Sequence, residues 1–292
     1  MLGLRCVSAG LAVGLAVAVG VSAANAQPSG VVIAVVQSAE VNRETGLRTL
    51  LAEAPVYSGD EIVTGAIGEA QVKFRDDTKL VVGPNSKMII DAFVFNDDDT
   101  ARKISINAVR GAFRFITGNS RKDAYTITTP TASIGVRGTA LDFVVADDES
   151  IRRPILARPS GLGGETKVAV FEGGIRLCDR KKRIEDRQCV EMVRRCAVSV
   201  VAPESDIRRL TSIPDRNREL EFFFRYVRDQ RHLLADFQVD LSGCGDFRQP
   251  APSSAGAPPP PPPDDCKDDC QDCDGEGGGE GEGGGGGGGE EG

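Results

Sequence analysis

From Val31 to about Val201 the chain repeats one pattern: apolar runs of strand length, each cut off by turn residues. Residues 69–75 alternate without a fault, with Ala70, Val72 and Phe74 on one face and Glu69, Gln71, Lys73 and Arg75 on the other, which predicts a half-buried strand. Asp76-Asp77, then Gly83-Pro84-Asn85-Ser86, then Asn96-Asp97-Asp98-Asp99 punctuate the following runs, as turns between antiparallel neighbours do. Further pairs share faces at Phe113 and Phe115, Tyr125 and Ile127, Leu141, Phe143 and Val145, Val168 and Val170, and Ile175 and Leu177. The expectation is an all-β fold of short antiparallel strands in a two-sheet roll or sandwich, or a solenoid, over residues 27–202. Residues 147–165, rich in Pro and Gly, interrupt the rhythm and read as an inserted loop.

After Pro203 the period changes. Leu220, Phe223, Phe224, Val227 and Leu234 fall at helical spacing, Ser212 and Asp215 resemble a capping box, and Glu221, Arg225 and Asp229 follow at i, i+4. One appended amphipathic helix of about five or six turns is predicted within residues 203–248, its apolar stripe packed on the sheet. From residue 249 to 292 no periodicity remains: Pro258–Pro263 predicts an extended polyproline spacer, and the Gly- and Glu-rich run after it predicts a disordered acidic tail.

Composition narrows the chemistry. The 292 residues carry a net charge of -8, but eleven acidic residues against Lys267 alone lie from Asp264 onward, so the rest is nearly neutral. No basic excess is left to hold nucleic acid. With no Trp, one His and three Tyr, stacking platforms, His-based metal cages and His-dependent triads lack their parts. His232 sits in the predicted helix, and no two carboxylates are singled out as an acid and base, so no catalytic residue and no cofactor are expected.

The first 26 residues combine Arg5, an apolar run from Val7 to about Val21, and Ala24-Asn25-Ala26, the pattern of a secretory signal peptide cleaved before Gln27. An uncleaved anchor is the alternative, and either leaves the remainder outside the cytoplasm, periplasmic or secreted, with no further transmembrane span. In that setting cysteines are disulfide candidates. Cys178, Cys189, Cys196 and Cys244 lie in the folding part and allow three pairings. Cys178 with Cys189 is favoured because the two flank a charged turn between strand-like runs, which leaves Cys196 for Cys244. Cys266, Cys270 and Cys273 stand among carboxylates in the tail, where a metal site competes with disulfide formation; those carboxylates raise thiol pKa and disfavour ligation. Arg180–Arg183 reads as a solvated basic turn, or as a contact for anionic envelope polymers.

Two segments are more specific. Gly59-Asp60-Glu61-Ile62-Val63-Thr64 leads through Gly68-Glu69-Ala70 and Phe74-Arg75-Asp76-Asp77-Thr78 to Gly83-Pro84-Asn85-Ser86. Gly111-Ala112-Phe113-Arg114-Phe115 then precedes Thr129-Pro130 and Gly135-Val136-Arg137-Gly138-Thr139. In this order they resemble the FecR domain of bacterial envelope proteins, over about residues 55–145, with Val170-Phe171-Glu172-Gly173-Gly174 resembling its closing turn. The positions that carry the likeness are Gly59, Asp60, Thr64, Thr129, Pro130, Gly135, Arg137, Gly138 and Thr139. Arg137, set among Ile134, Val136 and Ala140, reads as a buried clamp on a carboxylate such as Asp60 or Asp142, or as a recognition group for an external acid. The resemblance implies a non-enzymatic regulatory module in the envelope with a protein partner, an outer-membrane transporter in the best-known members, which relay its signal to a sigma factor. Here only a few residues precede the apolar run, where those members carry a cytoplasmic segment, so a stand-alone secreted module is expected. The alternatives are an envelope scaffold associated with the cell wall, or a metal-binding protein using the acidic Cys tail.

Overall fold

A computed structural model describes residues 27–245 except 44, 45, 97, 99, 147–164 and 182. The expected leader at 1–26, the inserted loop apart from its last residue, the Pro-rich spacer, and Cys266, Cys270 and Cys273 lie outside the described residues. The strands are β1 (Gly30–Val36), β2 (Ala39–Arg43), β3 (Gly46–Thr49), β4 (Pro55–Val56), β5 (Glu61–Thr64), β6 (Glu69–Phe74), β7 (Lys79–Val82), β8 (Lys87–Phe95), β9 (Ala101–Ile116), β10 (Tyr125–Thr128), β11 (Ala132–Val145), β12 (Thr166–Asp179), β13 (Cys189–Met192), β14 (Ala197–Val201) and β15 (Arg208–Leu210). Two helices follow, α1 (Ile213–Phe223) and α2 (Arg225–Arg228).

The fold is all-β, and its ladders join all fifteen strands into one network instead of two separate sheets. The reason lies in three long strands that change neighbours halfway. The first half of β9 pairs with β8 and, in parallel, with β10, while its second half pairs with β7 and β11. β11 pairs first with β10 and then with β9, and β12 pairs with β14 at its start and β13 at its end. Each of the three carries a glycine at positive φ near its middle: Gly111 at 110°, Gly138 at 66° and Gly173 at 67°. At each glycine the inward phase flips. Ile104 and Ile106 give way to Phe113 and Phe115, Ile134 and Val136 to Leu141 and Phe143, and Val168 and Val170 to Ile175 and Leu177, all in one core. A side chain at Gly173 would meet the Gly138 carbonyl oxygen at 1.7 Å, so the bends of β11 and β12 are stacked against each other.

The rolled network encloses this core, where Phe74 of β6 stacks on Phe93 of β8 (centroids 4.2 Å apart) although those strands are not hydrogen-bonded partners. The C-terminal segment covers the outer face in two places. Leu220, Phe224 and Val227 pack with Ala140, Phe171 and Val198, whereas Tyr226, Leu233 and Phe237 pack with Val81.

Serving two separate clusters breaks the expected single helix. The chain leaves helical geometry at Phe224 (φ -100°, ψ 89°), makes one further turn in α2, and becomes extended at Asp229. Ser212 is the N-cap of α1, but its side chain makes no capping bond: Asp215 pairs with Arg218 instead, and Pro214 begins the first turn. Disulfides join Cys178 to Cys189 across β12 and β13, and Cys196 to Cys244, which pins the end of the covering segment beside β14. Among the described residues no helix is long and apolar enough to cross a membrane.

Candidate interaction site

The nine residues that carry the family likeness do not gather into one site. Gly59 (φ 90°) turns the chain into Asp60, whose fully buried carboxylate accepts from Arg43 Nε and Nη2 at 2.5 and 2.6 Å and from the Tyr57 amide at 2.9 Å. Thr64 Oγ1 donates to the Gly83 carbonyl and accepts from the Ser86 amide, so it ties two turns together. Thr129 caps its own turn by accepting from the Ala132 amide at 2.9 Å, and its hydroxyl lies 2.7 Å from that of Thr166. Pro130, exposed, sits in the turn between β10 and β11, where no ladder amide is needed. Thr139 Oγ1 donates to the Gly174 carbonyl at 2.6 Å and accepts from its amide, which closes the paired bends of β11 and β12. Gly135 sits opposite Arg176 within the ladder. These residues are clasps on turns and bends.

Arg137 differs from its expected place: it is exposed and binds neither Asp60 nor Asp142. Its odd position points outward while Ile134 and Val136 point in, and only after the bend at Gly138 do odd positions turn inward. The same flip puts Asp142 on the outer face, and its partner there is Arg114.

Arg114 and Asp142 form a fully buried bidentate pair at 2.7 and 2.9 Å between the sheet and the C-terminal segment. Arg114 Nη1 also donates to Gln230 Oε1 at 2.6 Å and to the Phe237 carbonyl at 3.4 Å, and the guanidinium lies over the rings of Tyr226 and Phe171. Burial pushes the Asp142 carboxyl above the ordinary range, against the attraction of Arg114. Next to this pair Glu69, also buried, accepts from the Tyr226 hydroxyl and lies 3.1 Å from His232 Nε2. Burial, with the Glu69 carboxylate close by, holds the Tyr226 hydroxyl well above its ordinary value. Gln71 Oε1 accepts from the Leu234 amide, and Lys167 reaches Glu165 and Glu219. Glu69 and Gln71 are thus roofed over, where alternation alone marked them for the less buried face. The polar seam docks the C-terminal segment on the sheet.

A groove of about 420 Å³ lies where β13, β14, β15 and the start of α1 meet, and a wider hollow of about 650 Å³ lies beside Lys181, Arg183 and Arg187, where three acids, Glu185, Asp186 and Glu204, balance the basic side chains. Arg194, Arg209 and Arg216 line the groove against a single acid, Glu191, with Val193 and Ile213 as exposed apolar walls. Arg195, beside them, is committed to the Asp240 carboxylate and carbonyl. The Ser242 amide donating to the Asp240 carboxylate, and then Arg195, lower this carboxyl to about 2. No sequence motif marked this groove; Arg194 and Arg195 stood in a run read only for its cysteines. Among the described residues no group of His, Cys, Asp and Glu side chains is placed to hold a metal.

Fold and surface together define an all-β module that seals its polar residues inside clasps and a seam and presents an arginine-lined groove outside. Residues 60–176 match the model of the FecR protein family, and this part of the chain is a FecR domain. The match ends within β12, so the covering segment and every residue lining the groove lie beyond it. Two crystal structures of a proposed anti-sigma factor from Parabacteroides distasonis ATCC 8503, at 2.50 and 1.65 Å resolution, are similar at 14% identity and a TM-score of 0.35. Each comparison covers 51% of this chain and 58% of the other, so the likeness spans little more than half of either. No curated protein matches the chain.

Proposed function

We propose that the chain is a non-enzymatic regulatory module of the bacterial envelope, acting outside the cytoplasm by binding a protein partner. The observation that carries this reading is the match of residues 60–176 to the FecR protein family. Two disulfides support the compartment, because such bonds persist where thiols are oxidised, and the leader-like residues 1–26 agree with it. In its finer form the proposal makes the partner an outer-membrane transporter.

The test uses the full chain, tagged and expressed in a bacterium with and without residues 1–26, followed by fractionation, thiol alkylation and cross-linking. The expected result is export that depends on those residues, Cys178, Cys189, Cys196 and Cys244 protected from alkylation, and a cross-link to a membrane or periplasmic protein. Cytoplasmic retention with reactive thiols, or capture of cell-wall glycan alone, overturns it.

A further inference from the structure

β11 occupies one edge of β12 along its whole length, so β13 and β14 both lie on the other edge, end to end around the turn at residues 193–196. β15 covers the outer edge of β14 at Val198–Val200, but β13 pairs with β12 alone. Among the described residues, the lane that β15 fills beside β14 therefore holds no strand beside β13. The groove lies along this lane, with residues of β13 and its turn on one side and Arg209, Leu210 and Ile213 at the closed end. Unpaired strand edges attract added strands. The edge of β3 is also open, but that strand is exposed throughout, and Arg48 there is turned onto the Pro55 carbonyl.

Side chains state what the lane fits. Arg194 and Arg209 are exposed and form no ion pair among the described residues, and the groove's single acid leaves a net positive wall. Val193 and Ile213 remain 69% and 61% exposed, unusual for branched apolar residues beside an open edge. Ser199, fully buried and lining the same groove, has a hydroxyl with no hydrogen-bond partner among the described residues. A strand presents alternate side chains to opposite faces, so one with acids at every second position and apolar residues between satisfies both walls.

We propose that an extended segment of a partner protein, alternately acidic and apolar, docks in this groove by adding as a strand to β13. The proposal rests on the partner-binding reading above and names the surface that carries it.

The test titrates the full-length oxidised chain into a fluorescein-labelled octapeptide of alternating Glu and Ile, with a Lys and Ile octapeptide as control, and follows amide exchange. Expected are binding of the Glu peptide only, weakening as salt rises, and new protection at Cys189–Met192. The double variant Arg194→Glu, Arg209→Glu loses at least about tenfold in affinity with unchanged unfolding, while Arg194→Lys, Arg209→Lys retains binding. Equal affinity for both peptides, no binding, or protection at β3 overturns the proposal. Repeating the cross-linking with the double Glu variant separates the two readings. A partner still captured removes the groove and keeps the module, whereas peptide binding without any partner captured by the native chain removes the module reading and keeps the groove.

Discussion

Asp142→Ala is predicted to destabilise the protein by about 3–5 kcal/mol, because it strands the Arg114 guanidinium, fully buried, without its carboxylate. The double variant Arg114→Met, Asp142→Leu is expected to recover nearly all of that loss. Removing both charges leaves Gln230 satisfied, since its Oε1 still accepts from the Val239 amide and its Nε2 still donates to the Val239 carbonyl, and also forfeits the long 3.4 Å bond to the Phe237 carbonyl. The direction of the Asp142 shift supports this. Because burial outweighs the attraction of Arg114, the folded protein holds the Asp142 proton more tightly than the unfolded chain does. The contribution of this group is therefore fully present below the unfolded carboxyl value of about 4 and is lost as pH rises through the raised folded value. Urea unfolding of native, single and double variants at pH 7, with disulfides intact, gives the three free energies, and a series from pH 3 to 8 gives the slope. A cost below about 1 kcal/mol for Asp142→Ala, or a double variant as unstable as the single, would refute the reasoning.

The remaining predictions concern the bends, the bridges and the motif. Gly173→Ala is expected to cost more than roughly 3 kcal/mol, because the new methyl meets the Gly138 carbonyl, while Gly138→Ala, with only Lys122 Cε near at 3.6 Å, pays about 1–2 kcal/mol for its left-handed backbone; denaturant midpoints distinguish them. Replacing Cys196 and Cys244 by Ser opens a loop of separation 48 and should cost roughly 4 kcal/mol, against roughly 3 for the Cys178 and Cys189 pair of separation 11; limited trypsin digestion should then cut first at Arg225, Arg228 or Arg231. Asp60→Ala should lose roughly 2 kcal/mol through Arg43 and the Tyr57 amide, whereas Arg137→Ala should leave the melting temperature unchanged. Lowering pH through about 2 should protonate Asp229 and Asp240, whose depressed values mean that their stabilisation is present above about 4 and lost on acidification, readable as carboxyl shifts by NMR.

What was legible in the residues is local. Alternation placed the strands, but the shift from Val168 and Val170 to Ile175 and Leu177 fits a turn at Gly173-Gly174 as well as a bulge, and the structure carries β12 through it as one strand. Alternation also tells which residues share a face, but not what comes to lie over that face, so Glu69 and Gln71 gave no sign of the roof that Tyr226 and Leu234 provide. The choice of Arg114 over Arg137 as partner of Asp142 depends on the register of β9 against β11 across 28 residues, which no short pattern encodes. Helical spacing after Pro203 was real through Phe223. It failed beyond because Phe224 and Tyr226 are drawn to different clusters on the sheet. The groove escaped notice because it is made by the absence of a neighbour beside β13, and a missing pairing leaves no mark in the sequence.

The three bent strands also set how this molecule can come together. β9 is shared by four ladders, its first half serving β8 and β10 and its second half β7 and β11, so the two halves of the roll are joined through one continuous strand. Most of its pairings are distant in sequence, the topology associated with slow, cooperative folding. There is no seam along which the roll divides into two pieces that fold alone, so a fragment ending between Gly111 and Gly173 leaves long strands half paired. Evolution can lengthen the turns at either end of such a roll, but it can exchange or delete its middle only as a whole.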